Sequence, residues 1–192
     1  CKSSMTKASI DFLQQHIDDD PMQLLLQQGR YPEVDMRWVA QQLEGRRQAA
    51  DKWPTLMGCD TYIYPPKLNR EQSSSEATAR YKASLIAEGC TLADLTGGMG
   101  IDSLFFAQRA SRVDYHELDT ELAALAEHNF KTLGQDNIRC HAADGLARLE
   151  PHDVLYLDPA RRDAQGRKVQ AFEHCEPNLL EHLPRLRAAC HR

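Results

Sequence analysis

From Cys90 onward, short apolar stretches alternate with amphipathic helical ones, and this rhythm limits the fold more than any other feature. Residues 91–95, 112–118, 137–142 and 153–157 have the length and apolar content of buried strands. Residues 101–109, 121–133 and 176–189 between and after them repeat apolar side chains at helical spacing. In 121–133 these are Leu122, Leu125, Ala126, Phe130 and Leu133, and Gly134 closes the helix. Strand–helix alternation means a parallel sheet covered by helices, an α/β doubly wound fold. Right-handed crossovers predict the strand order 3-2-1-4, with a ligand crevice at the carboxyl ends of strands one and four.

The first 72 residues read differently, as a helical lead-in to a core spanning 73–192. Residues 9–16, 21–28 and 36–53 are predicted helices, and Gly29 stops the second. Residues 61–64 are predicted as a short extended piece, ended by Pro65-Pro66. Ser73 and Glu76 have capping-box spacing, which predicts a helix start there and a helix running to about Glu88.

Composition narrows the function classes. A net charge of −5 over 192 residues excludes a uniformly basic nucleic-acid surface. It leaves room for one local basic run, Arg161-Arg-Asp-Ala-Gln-Gly-Arg-Lys168. No apolar run approaches the ~20 residues that cross a bilayer. The opening residues lack the apolar stretch of a signal peptide, so no membrane partner and a cytoplasmic location are expected. The six cysteines include no CxxC pair and match no zinc or disulfide pattern; reduced thiols and no metal are expected. The chain lacks an initial Met and stops just after a helical stretch, which reads as a piece of a longer protein.

The chemistry sits after strand one, in Asp94-Leu-Thr96-Gly97-Gly98-Met99-Gly100. Glycines between a strand and a helix permit a tight turn and let a ligand approach the backbone. Gly98 to Ser103 also fits a dinucleotide loop, so the glycines alone do not choose a cofactor. The acids do. Asp94 ends strand one, where a carboxylate can accept from an amino-acid amine. Glu117 ends strand two, where it can accept from both ribose hydroxyls, and Asp144 follows strand three, within reach of an adenine amino group. Asp94 and Asp102 would oppose the pyrophosphate that a dinucleotide places on such a helix start. The set favours a phosphate-free sulfonium cofactor with an amino-acid end, a ribose and an adenine.

These segments resemble the motifs of class I S-adenosylmethionine-dependent methyltransferases. Asp94 to Ser103 resembles motif I, in a form close to that of some RNA guanine methyltransferases; His116-Glu117-Leu118-Asp119 resembles motif II; Ala143-Asp144-Gly145 resembles motif III; and Leu157-Asp158-Pro159-Ala160-Arg161 resembles motif IV. Together with Gln72 to Lys82 upstream and Arg162 downstream, the pattern is similar to the bacterial THUMP-like-domain methyltransferases. The resemblance implies a Rossmann-like core, S-adenosylmethionine as cofactor, and an RNA substrate held through the basic loop 161–168. It implies that Asp94, Thr96, Gly97, Gly98, Met99, Gly100, Asp102, Glu117, Leu118, Asp144, Gly145, Asp158 and Tyr81 surround the cofactor. Asp158, Pro159 and Arg161 would act on the target amine, with Arg161 and Arg162 holding substrate.

Motif IV departs from the family of amino-group methyltransferases. These commonly follow Asp-Pro with Pro and an aromatic residue, whereas this chain has Ala160-Arg161, so a base would have to stack on the guanidinium of Arg161 or on another segment. A protein or small-molecule methyltransferase, a non-catalytic binding module with this fold, and a nucleotide-dependent oxidoreductase are the competing expectations. Class I domains usually carry three more strands after strand four. Strand four is therefore expected at an edge, a surface for self-association.

Overall fold

The computed structural model describes residues 5–147, 149–158 and 179–190. The chain divides into two compact units, residues 1–71 and 72–192.

The first unit is helical. Helices α1 (Lys7–Gln15), α2 (Pro21–Leu26) and α3 (Met36–Lys52) surround a core of Phe12, Leu24, Val34, Met36, Val39 and Leu43. Each helix begins on a side-chain oxygen that accepts a backbone N–H: Thr6, Asp20 and Asp35 respectively. The extended piece predicted at 61–64 joins no strand. The Gln42 side chain takes the place of a strand neighbour, accepting from Tyr64 N at 2.7 Å and donating to Tyr64 O at 3.0 Å. The Tyr64 ring lies where a Cβ on Gly45 would stand, so α3 tolerates a glycine in its interior. Helix α4 (Lys67–Gln72), which the sequence did not suggest, closes the unit and buries Arg70.

The second unit is a four-stranded parallel sheet with helices. The strands are β1 (Thr91–Asp94), β2 (Arg112–His116), β3 (Ile138–His141) and β4 (Val154–Tyr156), in the order β3-β2-β1-β4. All three pairings are parallel, and the fold is Rossmann-like. The remaining helices are α5 (Glu76–Ser84), α6 (Ile101–Phe106), α7 (Thr120–Thr132) and α8 (Leu179–Ala189). Helix α6 stops three residues before its expected end. The Nδ2 of Asn137 donates to the carbonyls of Ala107 (2.8 Å) and Ala110 (3.0 Å), satisfying backbone acceptors that the end of the helix leaves without an intrahelical partner.

Helix α5 starts at a different serine from the one its spacing predicts. Ser75 is the cap and accepts from Thr78 N, while Glu76, itself buried, accepts from Arg80 at 2.8 Å. Ser74 is occupied elsewhere, donating to Asp102 at 3.0 Å and accepting from Lys82 at 3.0 Å, and this tertiary tie sets the register. The four cysteines among the described residues are free, and no helix of the described residues is long and apolar enough to cross a membrane.

The two sheet faces differ in chemistry. Val113 and Tyr115 of β2 are fully buried. Between them Asp114 points the other way, into a polar cluster. It accepts from Arg112 Nε (2.8 Å), His141 Nε2 (2.9 Å) and buried His152 Nε2 (2.9 Å). Burial raises the pKa of this carboxylate, but the bonds from His152, His141 and Arg112 outweigh burial and bring it down to about 2. Through His152 the cluster fixes the entry to β4, and His152 N in turn donates to Ala189 O of α8 at 3.1 Å.

Because its native pKa is depressed, the stabilisation from Asp114 is present above about 3.8 and is lost as pH falls toward 2. Asp114→Asn should therefore cost about 2–3 kcal/mol at neutral pH, the usual scale for hydrogen bonds to a charged group. Urea unfolding across a pH series should show that difference narrowing at acid pH.

Candidate functional site

The carboxyl ends of all four strands are tied into one edge. Leu95 N donates to Tyr156 O (3.0 Å), Gly97 N to His116 O (2.8 Å) and Glu117 N to His141 O (3.1 Å). The glycine loop rides on this edge between β1 and α6.

Its three glycines answer to different demands. A Cβ on Gly97 would fall inside the Tyr115 ring, and one on Gly100 would lie 2.5 Å from Phe130 Cζ. These two rings pack edge to face at 5.5 Å, and Tyr115 OH donates to Gly98 O at 2.6 Å. Protein packing thus requires Gly97 and Gly100. A Cβ on Gly98 would meet nothing nearer than Thr96 O at 3.9 Å. Gly98 has φ +54°, so the backbone alone favours glycine, and its outer side is open.

Asp94 is 1% exposed. Its Oδ1 accepts from Thr96 N (3.1 Å) and its Oδ2 from Ser103 Oγ of α6 (2.6 Å). Sequence reasoning gave this carboxylate to a ligand amine; the structure gives both oxygens to the loop and helix that follow it. Burial raises its pKa to about 7, helped by the charges of Asp102 and Asp158 and opposed by the bonds from Ser103 and Thr96.

Glu117 reaches the loop from the end of β2. Its Oε2 accepts from Gly98 N and its Oε1 from Asp119 N, both at 2.8 Å. The half-buried carboxylate therefore stands beside the open glycine. Next to it, Leu118 is 73% exposed.

A second group gathers around Asp102 in the first turn of α6. Asp102 Oδ2 accepts from Ser74 Oγ (3.0 Å), Lys82 Nζ (3.1 Å) and Tyr156 OH (2.8 Å). Lys82 also donates to Tyr156 OH at 2.6 Å and lies 3.7 Å from Asp158 Oδ2. The other oxygen, Asp102 Oδ1, is buried and has no hydrogen-bond partner among the described residues. Burial and the neighbouring Asp102 charge raise the Tyr156 pKa, so the phenol keeps its proton and donates it. Asp158 is more than half exposed and is anchored by its backbone N–H, which donates to Thr96 Oγ1 at 2.7 Å.

The structure thus brings Asp94, Thr96, Gly97, Gly98, Gly100, Asp102, Glu117 and Asp158 to one edge. Met99 is in the same loop, but its side chain is buried, leaving only its backbone for a ligand. Tyr81 is 66% exposed, and its neighbour Lys82 is the residue that joins the network. Asp144, after β3, is exposed and accepts from Leu146 N at 2.9 Å. Gly145 is buried, and a Cβ there would stand 3.0 Å from Leu95 Cα and His116 Cβ. Pro159, Arg161, Arg162 and the rest of the basic run 161–168 lie outside the described residues. Sequence reasoning missed Tyr156. Its signal was a hydroxyl at the end of strand four, two residues before Asp158.

No family model matches the chain. It is 28% identical over 153 residues to uncharacterized S-adenosylmethionine-dependent methyltransferases of two strains of Mycobacterium tuberculosis, which covers 78% of this chain and 42% of theirs. A crystal structure from Porphyromonas gingivalis, of a protein provisionally assigned as a methyltransferase, superposes with a TM-score of 0.79 at 30% identity. That match covers 95% of this chain and 46% of the other. The chain therefore spans less than half the length of these relatives.

Asp94 yields a pH prediction. Its native pKa lies above the ordinary 3.8, so its contribution to stability is full below that value and is lost as pH rises to about 7. Asp94→Asn, uncharged at every pH, should flatten the stability profile across this window in chemical denaturation. A profile as steep as that of the parent protein would show that Asp94 is ionised in the native state.

Proposed function

We propose that this chain carries the cofactor-binding part of an S-adenosylmethionine-dependent methyltransferase that acts on a base amine of RNA. The observation that carries the cofactor assignment is the open side of Gly98 with the Glu117 carboxylate beside it, at the carboxyl ends of the two inner strands of a 3-2-1-4 sheet. A glycine that protein packing does not require leaves room for a ligand against the backbone. The relatives that name this cofactor support the same reading.

The residues present fit this cofactor. Glu117 would accept from the ribose hydroxyls, Leu118 would offer its exposed side chain to the adenine, and Asp144 would accept from the adenine amino group. Asp102 takes over the task first given to Asp94. Its Oδ1 is a buried carboxylate oxygen with no donor among the described residues, and a ligand ammonium would supply one. Thr96, Gly97, Met99, Gly100 and Gly145 would contribute backbone and close packing, and the exposed Tyr81 would close over the cofactor.

The cofactor supplies an electrophilic methyl group on a sulfonium centre. The protein's part is to hold and orient. Asp158, fixed through Thr96 and drawn toward Lys82, would accept a hydrogen bond from the target amine with one carboxylate oxygen. Pro159 would set the turn after it. Arg161 and Arg162 would hold a phosphate of the substrate, with Arg161 offering its guanidinium plane to the base. The basic run 161–168 supports an RNA substrate.

Calorimetry should detect S-adenosylmethionine or S-adenosylhomocysteine but not a nicotinamide dinucleotide. Glu117→Ala should weaken binding by about 1–3 kcal/mol through loss of charge-assisted hydrogen bonds. Asp102→Asn should weaken it too. Unchanged affinity in both variants would place the cofactor elsewhere. Transfer of labelled methyl groups to total RNA, followed by nucleoside mass spectrometry, tests the substrate; label appearing only in protein or small molecules would overturn the RNA assignment.

A further inference from the structure

The helical unit contains a cavity of about 180 Å³ lined by Leu25, Arg37, Ala40, Glu44, Lys67 and Arg70, with Gln41 between. Three cations and one carboxylate face it. Arg70 is the unusual member, a guanidinium only 2% exposed. Nε donates to Gln48 Oε1 (3.1 Å), Nη1 to the carbonyls of Gln41 (3.1 Å) and Pro65 (3.0 Å), and Nη2 to Glu44 Oε2 (3.4 Å). Three of these four acceptors are neutral, so they fix the side chain without cancelling its charge. The four contacts also leave one of its five N–H donors unused among the described residues. Burial pulls the Arg70 pKa down and the Glu44 charge pushes it back, yet an arginine stays charged at neutral pH.

The other two cations stand in solvent. Arg37 makes no hydrogen bond or ion pair among the described residues. Among the described residues Lys67 has only Glu71, at 3.8 Å and with both side chains well exposed. A pair of that kind contributes little. The cavity is thus an open recess with an excess of positive charge backed by one buried guanidinium, in a chain whose net charge is −5. Such a recess concentrates field on an anion. Its volume is well below the roughly 300 Å³ at which pockets begin to hold whole drug-sized ligands. It suits one tetrahedral oxyanion, with the rest of a larger ligand outside.

We propose that this recess in the helical unit binds a phosphoryl group, with Arg70 as a rigid cationic wall and Arg37 and Lys67 closing over the anion. The proposal does not depend on methyl transfer by the second unit. A polynucleotide backbone and a free or small-molecule phosphate share this chemistry, and the test separates them.

The probes are inorganic phosphate, read by calorimetry, and a fluorescent single-stranded oligoribonucleotide, read by anisotropy over a salt series. Arg37→Glu and Lys67→Glu alter exposed residues, and unfolding curves matching the parent confirm that the fold persists. A backbone site predicts that each reversal weakens RNA binding by about tenfold or more. It also predicts that the slope of log K against log salt falls by about 0.7, the share of one single-strand phosphate. Arg30→Glu, which alters an exposed cation outside the recess, should do less. Glu44→Gln should strengthen binding, a sign that a purely structural role would not produce. Loss of phosphate binding with RNA binding unchanged supports the site and assigns it to a free or small-molecule phosphate. If neither probe responds to the reversals, the recess is not a phosphoryl site.

Discussion

The buried carboxylate of Asp94 holds the carboxyl edge of the sheet together. One oxygen receives Thr96 N and the other Ser103 Oγ, so a single side chain fixes where β1 ends, how the loop leaves it, and where α6 begins. The loop so placed brings Thr96 Oγ1 to Asp158 N, and Gly98 N to Glu117. Strand four and strand two are thereby referred to the same short segment. Full burial of this acid is costly on its own, and its raised pKa records that cost.

Around this brace the molecule separates support from exposure. Tyr115 and Phe130 fill the space beneath Gly97 and Gly100, while the outer side of Gly98 is left open. Lys82 carries α5 into contact with Asp102, Tyr156 and Asp158, so residues from before β1 and after β4 meet at one point. On the other face of the sheet, Asp114 gathers Arg112, His141 and His152 and so fixes the approach to β4. That cluster is support too, because it holds in register the strand that ends at Tyr156, two residues before Asp158.

Some of this was legible in the chain and some was not. The sheet order followed from the alternation of apolar stretches and the handedness of crossovers, which are properties of short segments. The loop was visible because positive φ and close packing leave glycine as the usual choice, and Gly98 and Gly100 do adopt φ of +54° and +86°. The capping serine of α5 was misplaced by two residues because three consecutive serines offer equivalent caps, and the contact of Ser74 with Asp102, 28 residues away, chose among them. Residues 61–64 read as extended, but the partner of Tyr64 turned out to be the side chain of Gln42, which no strand pattern announces.

By itself the sequence determined the class of fold, the position of the glycine loop and the presence of acids after strands one and two. These depend on local periodicity and on residue types that local geometry demands. The tertiary structure alone decided what each acid touches. Asp94 and Asp102 are eight residues apart and look equivalent in the chain. Burial and the Ser103 and Thr96 donors turn Asp94 inward as a brace, while the contacts of Asp102 leave one oxygen without a donor among the described residues. Asp114, His141 and His152 likewise become one cluster only when β2 and β3 pair and the approach to β4 folds back. Long-range packing assigns those partners, and no spacing along the chain encodes them.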